Sequence, residues 1–575
     1  MFGLQNRVAN IIGQKPIQTV ILFGLLAAGA RFVPSPWWDG DMLSIHPELP
    51  EPSGAFVRAP DKNQTVKKEL AKVEFEAAEP SKPAGVASRQ TKTAESADET
   101  DVAETTTEAD EPEARHRFDF AVTPDENDLK LLAKIRELDD KLDDPAAPLH
   151  RPCLAYVPGY LTDSLRPVCR RRALDGFFAQ LRNVALKIAE RPARISQFGD
   201  SLIAGDAFTG ELRRLMHEQF GDGGYGFIHT GKASPHIGTR HLTTDTSSGW
   251  KVHDVIYEPH SDAKFGLAGV AFEATGYPTL GIYPHDEGHG RTFDRVGILY
   301  YRRNQSVDLQ MTVDDSDGRR LDLSGPAGTN ALRWLQVDRG VHKLRFRGFD
   351  RSAYYYGVIL ENSGPGVVVD NLGLSNGRAP RLDYAGEKQW QGQLRKRGSD
   401  LLSFAYGVNS AGKHKAADHW LSDYAGQYAS VLKAARTSSD RAGCLVISLL
   451  TRAGREEGDI EIYDSVEPLV RYQRKAARRA DCAFWNAYEA MGGPEGAENW
   501  YNNRPRLLCS DLAHPTGIGY KKLANMFYAS LIHQFRRYLD ERIRRTTIPE
   551  LREDDVSEES ILSLRATDGA SRHLH

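Results

Sequence analysis

The chain has 575 residues, enough for more than one domain and for tails. Its formal net charge of −4, with 26% charged and 40% hydrophobic residues, excludes a dedicated nucleic-acid binder, which carries a strong basic excess. At the start, Arg7 and Lys15 precede the apolar run Ile17–Ala30, which ends in the small residues Ala28-Gly29-Ala30. A membrane span takes roughly 20 apolar residues. The run reads either as a cleaved signal peptide or, extended through Val33 with Trp37 and Trp38 at the interface, as a retained anchor. Both readings export the remainder.

Residues 41–115 read as a disordered acidic linker. The stretch Thr91–Ala114 has many carboxylates and no aromatic residue, so it buries too little apolar area to offset chain entropy. Helical spacing begins at LKLLAKIRELDDKL, and a second helix is expected over 173–189. Next comes the short strand RISQF, a tight turn at Gly199-Asp200-Ser201, and a helical stretch.

From 236 to 362 the pattern changes. VGILYYRR, VDLQMTVDD, VHKLRFRGF and AYYYGVILE are strand-like and separated by turn signals. They predict a β-sandwich or jelly-roll module. Strands and helices then alternate: LLSFAYG, a helix over 416–435, CLVISLL, a helix over 467–480, and a final helix over 519–545. This alternation predicts an α/β fold whose parallel sheet is covered on both faces, with the β module inserted in it. Residues 549–575 read as a disordered charged tail.

Of the five cysteines, Cys153 and Cys169 are expected to pair, and Cys482 and Cys509 could form a second pair. Cys444, inside CLVISLL, reads as a small core hydrophobe. No Cys or His cluster has metal-ligand spacing, so neither a metal nor a cofactor is expected. Trp485, Trp500 and Tyr501 either offer a stacking face to a ligand or pack in the core or at its rim. Alternation puts Tyr355 on the opposite sheet face from Tyr354 and Tyr356.

Three short segments carry chemistry. Ser201 sits at a strand-to-helix turn, where open α/β sheets place their sites, and the helix start adds positive potential. Serine is a weak nucleophile without a base, and the base needs an orienting acid. Asp511-Leu512-Ala513-His514 offers both from one loop, with His514 as base and Asp511 as its orienter. Asn409, at the end of the strand LLSFAY, can donate its amide to an oxyanion. Asp200 is read as a brace for the turn.

In this order and context, ISQFGDSLIAGDAFTGELRRLMHEQFGDGGYGF, GVVVDNLGLSNGRA, YGVNSAG and CAFWNAYEAMGG with CSDLAHPTGIGY resemble the conserved blocks of bacterial peptidoglycan O-acetylesterases of the SGNH (GDSL) hydrolase superfamily. The resemblance covers about 170 to 540 and implies an SGNH, flavodoxin-like sheet. It also implies an inserted carbohydrate-binding-like β module. Residue by residue it implies Ser201 as nucleophile, His514 as base, Asp511 as orienter, and an oxyanion hole from Asn409, Gly377 and the Ser201 N–H. Two departures stand. GLSNGRA is one residue longer than the family form, leaving Gly377 and Gly373 in competition, and Asn409 is followed by Ser410 rather than an acidic residue.

The expected organisation is a signal peptide or membrane anchor (1–40), linker (41–115), hydrolase domain (116–235 and 363–548), inserted module (236–362) and tail (549–575). The expected function is an exported, periplasmic or extracytoplasmic esterase that removes acetyl groups from an acetylated polysaccharide such as peptidoglycan. Membrane contact is expected only through the N-terminal segment. Alternatives are an O-acetyltransferase using the same residues and a non-catalytic glycan-binding envelope protein.

Overall fold

The strand ARISQFG is buried along its whole length, as expected of a central parallel strand covered on both faces. In the computed structural model, which describes residues 126–157, 168–414, 416–439 and 441–547, it is the pivot of a six-stranded sheet. In chain order the strands are β1 (Leu149–His150), β2 (Ala193–Gly199), β3 (Val367–Gly373), β4 (Leu401–Ala405), β5 (Gly443–Ile447) and β6 (Ala483–Trp485). Their spatial order is β1-β6-β5-β4-β2-β3. All neighbours are parallel except β1, which runs antiparallel to β6. The chain steps from β2 to β3 on one side, then to β4 on the other. That reversal opens a crevice at the carboxyl end of β2.

The helices are α1 (Glu126–Lys141), α2 (Asp175–Ala185), α3 (Ser201–Ala204), α4 (Ala207–Phe220), α5 (Glu387–Arg397), α6 (Asp418–Arg436), α7 (Val466–Arg479), α8 (Ala487–Met491), α9 (Gly496–Asn502) and α10 (Gly517–Thr547). Strand residues alternate between two cores. Leu401 and Ala405 join Phe178 of α2, Leu212 of α4 and Phe535 of α10. Leu402 and Phe404 join Trp390 of α5, Tyr428 of α6 and Leu469 of α7. The helix expected over 173–189 is shorter than its pattern, and the final helix extends to Thr547.

Between β2 and β3 lie two antiparallel sheets. One has the strands Thr329–Gly340, Phe293–Arg302, Ala353–Glu361, Val270–Ala274 and Trp250–Asp254, with Gly226–His229 also paired to Ala353–Glu361. The other has Arg319–Asp322, Asp308–Val313, Leu344–Arg347, Leu280–Pro284 and Leu242–Thr246. Their inner faces share a core that includes Leu280, Val296, Phe346 and Tyr355, which makes this a sandwich. The outer face of the larger sheet packs into the core of the α/β domain through Phe272, Tyr354 and Tyr356.

Buried ion pairs reinforce that junction. Arg397 Nη1 contacts Glu361 Oε1 at 2.6 Å, and its Nε and Nη2 reach Asp370 at 2.8 and 2.9 Å. Arg194 holds Glu361 from the other side at 2.8 and 3.0 Å. Burial works against the Glu361 charge, but Arg397 and Arg194 outweigh it and pull its pKa down to about 2.

The cysteine pairing differs in part from the sequence expectation. Cys153–Cys169 forms, closing a hairpin. The second disulfide is Cys444–Cys482, and Cys509 is a free thiol. The reason is register: β5 and β6 are parallel neighbours with Leu445 opposite Ala483, so the residues just before them lie side by side, Cα to Cα 4.7 Å. The two disulfides fit an oxidising, extracytoplasmic compartment.

No helix among the described residues is long and apolar enough to cross a membrane. The expected leader, linker and tail lie outside the described residues.

Candidate active site

At the carboxyl end of β2 the chain turns sharply into α3. A Cβ on Gly199 would stand 2.3 Å from Ile203 Cγ1 and 2.8 Å from the Ala405 carbonyl, so the turn requires glycine there. Asp200 caps α3, its Oδ1 accepting the Leu202 N–H at 3.0 Å. Ser201 is the first residue of that helix, and N–H groups of a first turn have no intrahelical partner. Ser201 therefore offers a hydroxyl and an N–H from one position.

The loop before α10 supplies the imidazole. Cys509 N–H donates to the His514 carbonyl at 2.8 Å, and Thr516 N–H to the Leu507 carbonyl at 2.8 Å. The loop also needs Leu512 in the left-handed region, φ 54°. Its side chain is buried, and packing of that side chain offsets the backbone strain. Asp511 Oδ1 accepts the N–H of Ala513 and of His514, both at 3.1 Å. Asp511 Oδ2 lies 2.7 Å from His514 Nδ1, and His514 Nε2 lies 2.7 Å from Ser201 Oγ. Partial burial opposes the Asp511 charge. Even so, the His514 ring and the two backbone donors hold its pKa below the usual carboxylate value. A carboxylate on Nδ1 leaves Nε2 as the acceptor facing the serine.

Asn409 sits in a short 3₁₀ turn after β4, Val408–Ser410. Its Nδ2 donates to the Gly377 carbonyl at 3.1 Å. An amide has two N–H donors, so the second is open to a ligand. Gly377 is placed differently from expectation: its N–H closes a turn onto the Leu374 carbonyl at 2.9 Å. In this conformation that N–H is spent, and Gly377 acts through its carbonyl as the anchor for Asn409. The competing Gly373 N–H is bonded to Asn371 Oδ1 at 3.0 Å. Gly373 is required for packing, since a Cβ there would meet Ala204 N at 2.3 Å.

Several supporting contacts were not legible in the sequence, among them the far side of the brace expected at Asp200. Asp200 Oδ2 accepts the Gly407 N–H at 3.1 Å, joining the Ser201 turn to the Asn409 turn. Burial dominates Asp200 and raises its pKa to about 6. Arg452 Nη1 donates to the Val408 and Ala411 carbonyls at 2.6 and 2.8 Å, bracketing Asn409. Gln473 Nε2 donates to the Tyr406 carbonyl at 2.7 Å. No local signal marks these contacts, because the residues they join lie at least forty positions apart.

The aromatic candidates resolve toward packing. Trp485 is fully buried, its Nε1 donating to Ser530 Oγ at 3.0 Å. Trp500 is buried too, while Tyr501 is half-exposed against Arg506. Tyr354, Tyr355 and Tyr356 are all buried, Tyr355 in the sandwich core and the other two against the core of the α/β domain. Among the described residues no group of three or more His, Cys, Asp or Glu could hold a metal ion.

Residues 337–522 match the GDSL-like Lipase/Acylhydrolase family. That stretch begins within the inserted sandwich and holds Gly377, Asn409, Asp511 and His514, while Ser201 precedes it. No curated protein matches the chain. Among solved structures, a peptidoglycan O-acetylesterase is similar at 20% identity, with TM-score 0.52, covering 63% of this chain and 96% of its own. An acetyl xylan esterase is similar at 16% identity, with TM-score 0.23, covering 29% of this chain and 80% of its own. A family two carbohydrate esterase from Cellvibrio japonicus is similar at 11% identity, with TM-score 0.21, covering 52% and 99%. Over residues 337–522 the chain therefore matches a GDSL-like lipase/acylhydrolase domain, and its α/β domain has the SGNH hydrolase fold.

Proposed function

We propose that the protein is an exported serine esterase that removes O-acetyl groups from a cell-envelope polysaccharide such as peptidoglycan. The observation that carries this reading is the unbroken hydrogen-bonded line from Ser201 Oγ through His514 to Asp511, with 2.7 Å at each step.

In this mechanism Ser201 Oγ adds to the acetyl carbonyl as His514 Nε2 takes its proton. Asp511 holds the ring and stabilises the imidazolium. The oxyanion is assigned to the Ser201 N–H and the open N–H of Asn409 Nδ2. Collapse breaks the ester bond, and the sugar oxygen leaves with the proton from His514. Water, deprotonated by the same ring, then attacks the acetyl-Ser201 ester. Acetate departs and the hydroxyl is restored. The inserted sandwich and the N-terminal segment are assigned to holding the glycan and to export.

The test uses a fluorophosphonate label and acetate release together. The label is expected on the Ser201 peptide, with free acetate appearing from purified acetylated peptidoglycan and p-nitrophenyl acetate turnover abolished by Ser201→Ala. Acetyl appearing on an acceptor glycan instead of in solution would turn the assignment to transfer. A wild type with no p-nitrophenyl acetate turnover, or one equalled by Ser201→Ala, would end the enzyme reading.

A further inference from the structure

We propose that a basic groove between α7 and the segment Asn486–Pro494 holds a carboxylate-bearing stretch of the polysaccharide chain. This rests on the glycan-esterase reading and adds the charge of its substrate. The sequence of α7, VEPLVRYQRKAARR, carries five cations against a single carboxylate, Glu467, in a chain whose net charge is −4. Leu469, Val470, Gln473, Ala476 and Ala477 face the core. Arg471, Arg474, Lys475 and Arg478 recur at i, i+3, i+4 and i+7 and so share the outer face. All four are exposed, and none is paired with a carboxylate among the described residues.

These four cations line a groove of about 930 Å³. Two are held in place by aromatic rings: Arg474 lies 5.1 Å from the Phe484 centroid and Lys475 lies 3.9 Å from that of Tyr472. The far wall includes Asn486 and the pair Gly492-Gly493, whose missing side chains leave the groove open. Glu489 is the one carboxylate on that wall.

The groove belongs to the catalytic edge of the sheet. Gln473 of α7 donates to the Tyr406 carbonyl beyond β4 and accepts the Leu449 N–H beyond β5 at 2.8 Å. Asn486 follows β6 directly and its Oδ1 accepts from Ser448 Oγ at 3.2 Å. From β2, whose carboxyl end leads into Ser201, to β6 is three strand spacings, about 14 Å. A polymer lying across the sheet edge therefore reaches both the nucleophile and the cations. A concave trough of this kind fits a chain of anionic residues better than a flat anionic membrane.

The test measures binding apart from catalysis. Full-length protein carrying Ser201→Ala is sedimented with purified peptidoglycan sacculi, with sacculi whose carboxylates have been amidated, and with phosphatidylglycerol vesicles. Tight binding to untreated sacculi, weakened by salt, is expected. Arg471→Gln/Lys475→Gln/Arg478→Gln is expected to weaken it about tenfold, and amidation by a similar factor with the protein unaltered. In the Ser201 background the triple change should leave p-nitrophenyl acetate turnover within about twofold of wild type. Equal binding to native and amidated sacculi, or binding to vesicles alone, would overturn the proposal. Loss of turnover in the wild type would instead strike the esterase reading and leave the binding result standing.

Discussion

The buried carboxylate of Asp200 accepts the Gly407 N–H at 3.1 Å, so one side chain fixes both the turn that carries Ser201 and the turn that carries Asn409. Nucleophile and oxyanion donor come from segments about two hundred residues apart, yet they share a single brace. The arrangement has a cost, because a buried carboxylate is easier to protonate than an exposed one.

That cost gives a pH prediction. Asp200 holds its proton to about pH 6 in the folded protein, against the ordinary aspartate value of 3.8. Between these limits the folded state binds more protons than the unfolded one, so this group's contribution to stability falls as pH rises. Above pH 6 the loss amounts to about 3 kcal/mol, at roughly 1.4 kcal/mol per pKa unit. Asp200→Asn removes the titration while adding a pH-independent cost of about 1 kcal/mol for one unpartnered N–H. Urea unfolding at pH 4 and pH 7 should show wild type losing about 2–3 kcal/mol relative to the variant. A difference that does not change with pH would refute the assignment.

Asn409→Ala should lower kcat by roughly 10²–10³ with little change in KM, since the lost donor acts on charge that develops only in the transition state. Asp511→Asn should lower kcat by about 10⁴ through the wrong imidazole tautomer. Both are read on p-nitrophenyl acetate. A KM effect in place of the kcat effect would move Asn409 from the oxyanion to substrate binding.

Cys444–Cys482 closes a loop of 38 residues that contains β5 and α7. Replacing both with alanine should cost about 4 kcal/mol by the chain-entropy relation, read as a fall in the urea midpoint. Iodoacetamide on the native, unreduced protein should add a single label, at Cys509. A label on Cys444 or Cys482 would contradict the pairing.

Arg397→Met leaves Asp370 and half of Glu361 without their cation inside the junction between hydrolase sheet and sandwich. The expected loss is about 3–5 kcal/mol, the usual cost of breaking a buried pair from one side. In wild type the Glu361 contribution is present above the ordinary glutamate value of 4.5 and is lost as pH falls through about 2. Urea unfolding at pH 7 measures the first effect, and the acid limb of stability measures the second.

Much of the molecule follows from local pattern. Strand ARISQFG, the Gly199-Asp200-Ser201 turn and the Asp511–His514 spacing are each written within a dozen residues, where side-chain alternation and turn geometry are local constraints. So is the switch to short alternating strands that marks the inserted sandwich. What the tertiary structure alone decided is which segments meet. Cys444 pairs with Cys482 rather than serving as a lone core residue, because parallel register places the starts of β5 and β6 side by side. Trp485 and the three tyrosines at 354–356 are packing residues, because α10 covers Trp485, the core of the α/β domain covers Tyr354 and Tyr356, and the facing sheet of the sandwich covers Tyr355. The Gly377 N–H closes a turn instead of facing an oxyanion, which no glycine spacing reveals. Periodicity fixes which way a side chain points along its own strand or helix, whereas long-range pairing fixes what stands opposite it.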